Sequence, residues 1–136
     1  MGVDDTNFID SSREKKLEIV IESRLMTPSL NDITGKNADI KKRIWGGRWK
    51  KELKHQRVYG DLPSDMLLPP VEITVKRYSG HALDWDNFIG GFKPMIDALV
   101  SLGFIQNDNP GKLRHGKHEQ LPDREEPRVE IYLREV

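Results

Sequence analysis

The sequence predicts an α+β domain: a small mixed or mainly antiparallel sheet of three to four strands covered by two helices on one face. Three observations carry that expectation. Short segments alternate apolar and polar residues with the period of a half-buried strand, while others repeat apolar residues at helical spacing. These segments follow one another as strand, helix, strand, helix, strand. The chain has 136 residues, enough for one domain with a proper core and too few for two of ordinary size.

Residues 1 to 16 carry no periodic apolar signal and are expected to be loose, with the single domain spanning 17 to 136. Leu17, Ile19 and Ile21 alternate with Glu18, Val20 and Glu22, the pattern of a largely buried strand. The turn-rich stretch TPSLND follows it. From about Asn37 to Arg57, Ile40, Ile44, Trp45, Trp49 and Leu53 form a helical stripe expected to face the core, and Gly46 with Gly47 makes a bend or break plausible. The Pro-containing stretch YGDLPSDMLLPP is a connection rather than a regular element.

Val71, Ile73 and Val75 alternate with Glu72, Thr74 and Lys76 as a second strand, which runs through Tyr78 to the loop SGHAL. Phe92, Met95, Ile96, Leu99 and Val100 then repeat at i, i+3, i+4, i+7 and i+8, with Pro94 acceptable only in the first turn and Gly103 as a stop. After Asp108 the chain is polar and at first basic, and reads either as a loop or as an exposed edge strand. Val129, Ile131 and Leu133 alternate with Arg128, Glu130, Tyr132 and Arg134 as the last strand.

The chain has 22 basic and 22 acidic residues, so no global field draws it toward nucleic acid. The distribution is uneven. Between Lys36 and Arg57 nine Lys or Arg stand against two acids, a local net charge of +7; between Val58 and Gly111 seven acids stand against three bases, a net of −4. The basic segment is either a face for a polyanion or a solvated helix face. There are no cysteines, which excludes a disulfide framework and cysteine-ligated zinc. No apolar run reaches membrane-spanning length and the start MGVDDTNFIDSS is unlike a signal peptide, so a cytoplasmic protein with no membrane partner is expected.

The stretch LDWDNFIGGFKPMIDALVSLGFIQND carries the chemistry. In an extended segment residues i and i+2 project to one side, so Asp84 and Asp86 can converge where a cation would relieve their repulsion. Asp108, after the following helix, can add a third carboxylate, and such hard oxygen ligands suit Mg²⁺ or, as a substitute, Mn²⁺. Taken alone, D-x-D-N is a weak signal, because Asp and Asn also crowd turns and helix caps.

The wider constellation is more specific: Asp84, Asp86 and Asn87, then Lys93 and Asp97 four apart, then Ala98, Leu99, Gly103, Phe104 and Asp108. It resembles the RusA family of Holliday-junction resolvases, including its phage members. The order of elements extends the resemblance over most of the chain, from the first strand and its P-S-x-N turn (Pro28, Ser29, Asn31) to the last strand. The resemblance implies Asp84, Asp86 and Asp108 as metal ligands, with Lys93 as the lysine that assists catalysis. It further implies a Mg²⁺-dependent endonuclease that resolves four-way or related branched DNA as a homodimer, whose twofold symmetry matches two incisions.

Two departures from that pattern are visible. Asn107–Asp108 stands where the family often has paired aspartates, and FIGGF intervenes before Lys93. If this insert is helical, three additional residues add nearly one turn, a rise of about 4.5 Å, and preserve the facing of Lys93. If Gly90 and Gly91 break the helix, its placement is open.

Candidate DNA contacts are Lys41, Lys42, Arg43, Arg48, Lys50 and Lys51 on the basic helix and Lys112, Arg114 and Lys117 in the later basic stretch. Trp45 and Trp49 read as core rather than as base-stacking platforms. His115 and His118 read as solvated loop residues in preference to backbone-phosphate contacts, and these in turn in preference to a metal pair or a histidine-based nuclease. A non-catalytic DNA-binding module using the basic helix, or an interaction protein docking an acidic partner on it, are the alternatives.

Overall fold

The computed structural model describes residues 15–60 and 62–136, so the loose stretch expected over 1–16 lies outside the described residues up to residue 14. The first alternating segment forms β1 (Glu18–Ser23) with Ile19, Ile21 and Ser23 buried on one face. The second forms β2 (Val71–Ser79), burying Val71, Ile73 and Val75. Two short strands, β3 (Leu113–His115) and β4 (Glu119–Pro122), precede β5 (Arg128–Glu135). β5 lies between β1 and β2 and is antiparallel to both, with Ile131 opposite Ile21 on one side and Val75 on the other.

β3 and β4 both run parallel to β2 along its other side, which makes the sheet mixed. The α+β class and the mixed sheet are as expected, but the strand count among the described residues is five rather than three to four. Segments of three and four residues are too short for alternation to stand out, so polarity left a loop and an exposed edge strand both open, and edge strands are what form. Between them β2 advances three residues, from Ile73 to Lys76, while the partner advances four, from His115 to Glu119. That one extra residue is a bulge in the edge.

The helices cover one face. α1 (Ala38–Tyr59) runs unbroken through Gly46 and Gly47, contrary to the expected bend or break. Its stripe buries Trp49 and Leu53 and half-buries Trp45, but Ile40 and Ile44 remain 53% and 50% exposed, so only the C-terminal half of the expected stripe faces the core. The second helical region is two helices, α2 (Trp85–Gly90) and α3 (Lys93–Ser101). Phe88 of α2, Phe92 between the helices, and Met95, Ile96 and Leu99 of α3 share one buried core with Ile73, Val75, Ile131 and Leu133. Gly103, at φ +77°, ends the helical region in the left-handed conformation a C-terminal stop requires.

The connection before β2 is held by a buried carboxylate. Glu135 accepts the Leu17 N–H at 2.8 Å through Oε1 and the Leu68 N–H at 2.5 Å through Oε2, closing the first strand and the Pro-rich connection onto the end of β5. The sheet's other face is polar: Arg134 meets Glu72 at 2.8 Å, and Tyr78 and Tyr132 both donate to Glu130 Oε1, at 3.0 and 2.7 Å. Among the described residues no helix is long and apolar enough to cross a membrane.

Candidate functional site

The loop leaving β2 is fixed by side chains before the aspartates are reached. Arg77 donates to Ser79 Oγ at 2.7 Å and to the His81 carbonyl at 3.1 Å. From β4, the Gln120 amide accepts the Leu83 N–H at 2.8 Å and donates to the Leu83 carbonyl at 2.8 Å, the two-bond pairing a neighbouring strand would make. Gln120 therefore positions the residue next to Asp84. Nothing in the sequence singled it out.

Asp84 is the N-cap of α2. Its Oδ1 accepts the Asn87 N–H at 3.0 Å and its Oδ2 accepts from Asn87 Nδ2 at 3.1 Å, which satisfies a donor left free at the helix start. The chain turns helical at Trp85, so Asp86 lies in the first turn and the same-side projection expected of an extended Asp84–Asp86 pair does not apply. Asp86 is exposed and has no hydrogen-bond or ion-pair partner among the described residues. Asn87 Oδ1 also accepts the Asn31 N–H at 3.2 Å, tying α2 to the 3-10 turn Leu30–Ile33. Ser29 and Asp32 cap that turn reciprocally.

Gly90 and Gly91 do break the helix, and packing explains them. A Cβ on Gly91 would overlap the Pro28 carbonyl oxygen, and one on Gly90 would meet the Leu30 side chain at 2.9 Å. The break starts α3 at Lys93, with Pro94 in its first turn as required. Lys93 Nζ contacts Asp108 Oδ2 at 2.7 Å and Asp97 Oδ1 at 3.0 Å. The hydrogen bond from Lys93 holds the Asp108 carboxyl below the usual carboxylate range, and that bond, with a second to Asp97, raises the Lys93 ammonium. Both partners are thus charged at neutral pH.

Lys93 also faces the basic helix. Lys42, Arg43, Gly46, Gly47 and Lys50 of α1 and Lys93, Pro94, Asp97 and Ala98 of α3 line a groove of about 410 Å³. The other basic candidates go elsewhere. Arg48 and Lys51 line a separate surface groove with Leu25, Glu52 and His55, and Arg48 stacks 5.0 Å from the Trp45 ring centre. Lys41 donates to the Thr34 carbonyl at 3.2 Å. Lys112, Arg114 and Lys117 lie in and around β3, the latter two exposed.

A Cβ on Gly46 or Gly47 would have nothing within 4 Å, so neither glycine is required by packing. Gly46→Ala and Gly47→Ala are each expected to raise stability by about 0.5–1 kcal/mol in urea unfolding, from helix propensity alone. Gly47→Gln, which puts bulk into the groove, is expected to retain the fold and weaken binding of duplex or branched DNA in a low-salt titration.

His115 and His118 are not free loop residues. His118 is buried at the bulge, where its Nδ1 accepts the Val75 N–H at 2.9 Å, taking the place of a strand carbonyl. Its Nε2 lies 2.8 Å from His115 Nδ1. Burial, and secondarily His115, push His118 down to about 4; burial lowers His115 as well. A histidine held neutral stabilises the fold above its unfolded pKa of about 6.5, and that contribution is lost as pH falls toward the folded value. Unfolding free energy is therefore expected to fall steadily from pH 6.5 to about 4, and His118→Gln should flatten that dependence.

His115 lines a second cleft, of about 270 Å³, with Lys93, Asp108, Ile89, Gly90, Phe92, Ile96 and Leu113. Among the described residues no group of three His, Asp or Glu side chains is arranged to hold a metal ion. The donors are chemically suited to a hard cation, carboxylate oxygens on exposed side chains, but Asp84 is engaged as a cap and Asp108 by Lys93. Comparison with protein-family models and with curated proteins gives no match.

Proposed function

We propose that this protein is a metal-dependent, structure-selective DNA endonuclease that cuts four-way or related branched DNA, as the resemblance to the RusA family implies. One observation carries the reading: Lys93 stands at the junction of a groove lined by Lys42, Arg43 and Lys50 and a cleft holding Asp108, so a basic face and the acidic motif meet at one side chain. A DNA backbone in the groove would bring a phosphate to the Lys93 ammonium, whose charge can stabilise the transition state. Asp84, Asp86 and Asp108 are the residues that would hold Mg²⁺ or Mn²⁺. A bound cation would polarise the phosphate and lower the pKa of an attacking water.

Before substrate arrives, Lys93 neutralises part of the charge of Asp97 and Asp108. Asp97 orients the amine from one turn along the helix. The enzyme is proposed to act as a homodimer in the cytoplasm of a bacterial or phage-infected cell.

A second reading has its own observation. Both Asp84 carboxylate oxygens are engaged in capping α2, and no three-carboxylate cluster stands among the described residues, which is what a non-catalytic DNA-binding module with a basic groove would have. A labelled four-way junction separates the two. The nuclease reading expects symmetric incision in Mg²⁺ or Mn²⁺, none in chelator, and little on linear duplex. Salt-sensitive binding without incision in either metal would establish the binding module instead.

A further inference from the structure

The cleft beside Lys93 and Asp108 has a histidine wall whose hydrogen-bond directions are determined from one end. The Val75 backbone amide can only donate, so His118 Nδ1, which accepts from it at 2.9 Å, carries no proton. The neutral His118 ring then has its proton on Nε2 and donates it to His115 Nδ1 at 2.8 Å. His115 is left with an acceptor on Nδ1 and its own proton on Nε2. Its second nitrogen has no partner among the described residues, and the ring lines the cleft.

A second proton on His115 Nδ1 would meet the His118 Nε2–H head-on, so the pair resists becoming an imidazolium. A ring in this state is a neutral donor, not a metal ligand, since ligation at Nε2 requires the proton to leave. Its complement is a hydrogen-bond acceptor, and for a DNA backbone in this cleft that acceptor is a phosphate oxygen. Ile89, Phe92, Ile96 and Leu113 form the apolar part of the same open cleft, against which the exposed His115 ring is set.

Lys93 is shared between two carboxylates, Asp97 and Asp108, so its charge alone does not hold a phosphate here, and an anion gains from a donor that lies outside that ion pair. We infer that the His118–His115 pair fixes His115 as an Nε2–H donor to a phosphate oxygen bound in the Lys93–Asp108 cleft. This inference rests on the phosphodiester-cleaving reading above, and it makes His118 a positioning residue that acts through His115.

The test is a long-range proton–nitrogen NMR spectrum of the imidazole-labelled wild-type chain. Both rings are expected in the neutral Nε2–H form between pH 7 and 8. The His115 Nε2 resonance should move on adding inorganic phosphate, and again with a four-way junction in the absence of divalent metal, while His118 keeps its tautomer. In the incision assay His115→Phe should slow cutting by about 10- to 100-fold with junction affinity changed less than about twofold, and His115→Gln, whose amide still donates, should keep more of the rate.

An Nδ1–H or imidazolium form of His115, or a resonance unmoved by both probes, overturns the inference. So does wild-type cutting by His115→Phe. A moved His115 resonance with no incision in any metal overturns the nuclease reading and retains the donor. Full incision with an unmoved His115 does the reverse.

Discussion

Asp86→Asn is expected to slow Mg²⁺-dependent incision of a four-way junction by about a thousandfold, since a metal's stabilisation of the transition state amounts to several kcal/mol and each 1.4 kcal/mol is about tenfold. Among the three aspartates it gives the cleanest substitution. Asp84 holds a helix cap and Asp108 holds Lys93, so replacing either changes local structure as well as charge. Asp86 is exposed and unpartnered among the described residues, and asparagine matches its shape. Stability should stay within about 0.5 kcal/mol, as for surface substitutions away from special features.

Junction affinity measured without metal should hold or rise slightly, because one negative charge near the phosphate path is gone. Single-turnover incision on a labelled junction checks the rate. A mutant within tenfold of wild type would remove Asp86 from the metal site and, with it, the main support for the acidic motif as a catalytic one.

The sheet's long strands were legible because their alternation runs through most of each strand: Ile19 and Ile21, Val71 to Val75 and Val129 to Leu133 all bury the residues that the period of two assigns inward. The helix positions were legible where apolar spacing and burial coincide, as at Trp49 and Leu53, and not where a stripe continues past the covered surface, as at Ile40 and Ile44. The meeting of Lys93 with Asp108 follows from a helix break that spacing alone left open. The roles of His118, read as a solvated loop residue, and of Gln120 were missed for a different reason. Each replaces a backbone group in pairing with another strand or loop, and such a role depends on the bulge and the parallel register, which no local pattern encodes.

That helix break has a testable cause. Gly91→Ala is expected to destabilise the fold by about 3 kcal/mol or more, among the largest effects of a single substitution, because the new Cβ overlaps the Pro28 carbonyl and neither clashing group is a flexible side-chain end. Gly91 has φ −77°, an ordinary value for any residue, so backbone strain contributes nothing and the whole cost is the contact. Relief requires the Pro28–Asn31 segment to move away from α2. That motion pulls on the Asn31 N–H to Asn87 bond, and Asn87 in turn is what Asp84 caps.

Gly90→Ala meets the Leu30 Cδ atoms at 2.9 and 3.1 Å, which can rotate away, and its Cβ at 3.0 Å, which must give by a few tenths of an ångström, so it should cost clearly less than an overlap with backbone. Urea unfolding of the two variants separates these outcomes. If Gly91→Ala proves as mild as Gly90→Ala, the glycine pair is not a packing requirement, and the start of α3 at Lys93 must be set by Pro94 instead.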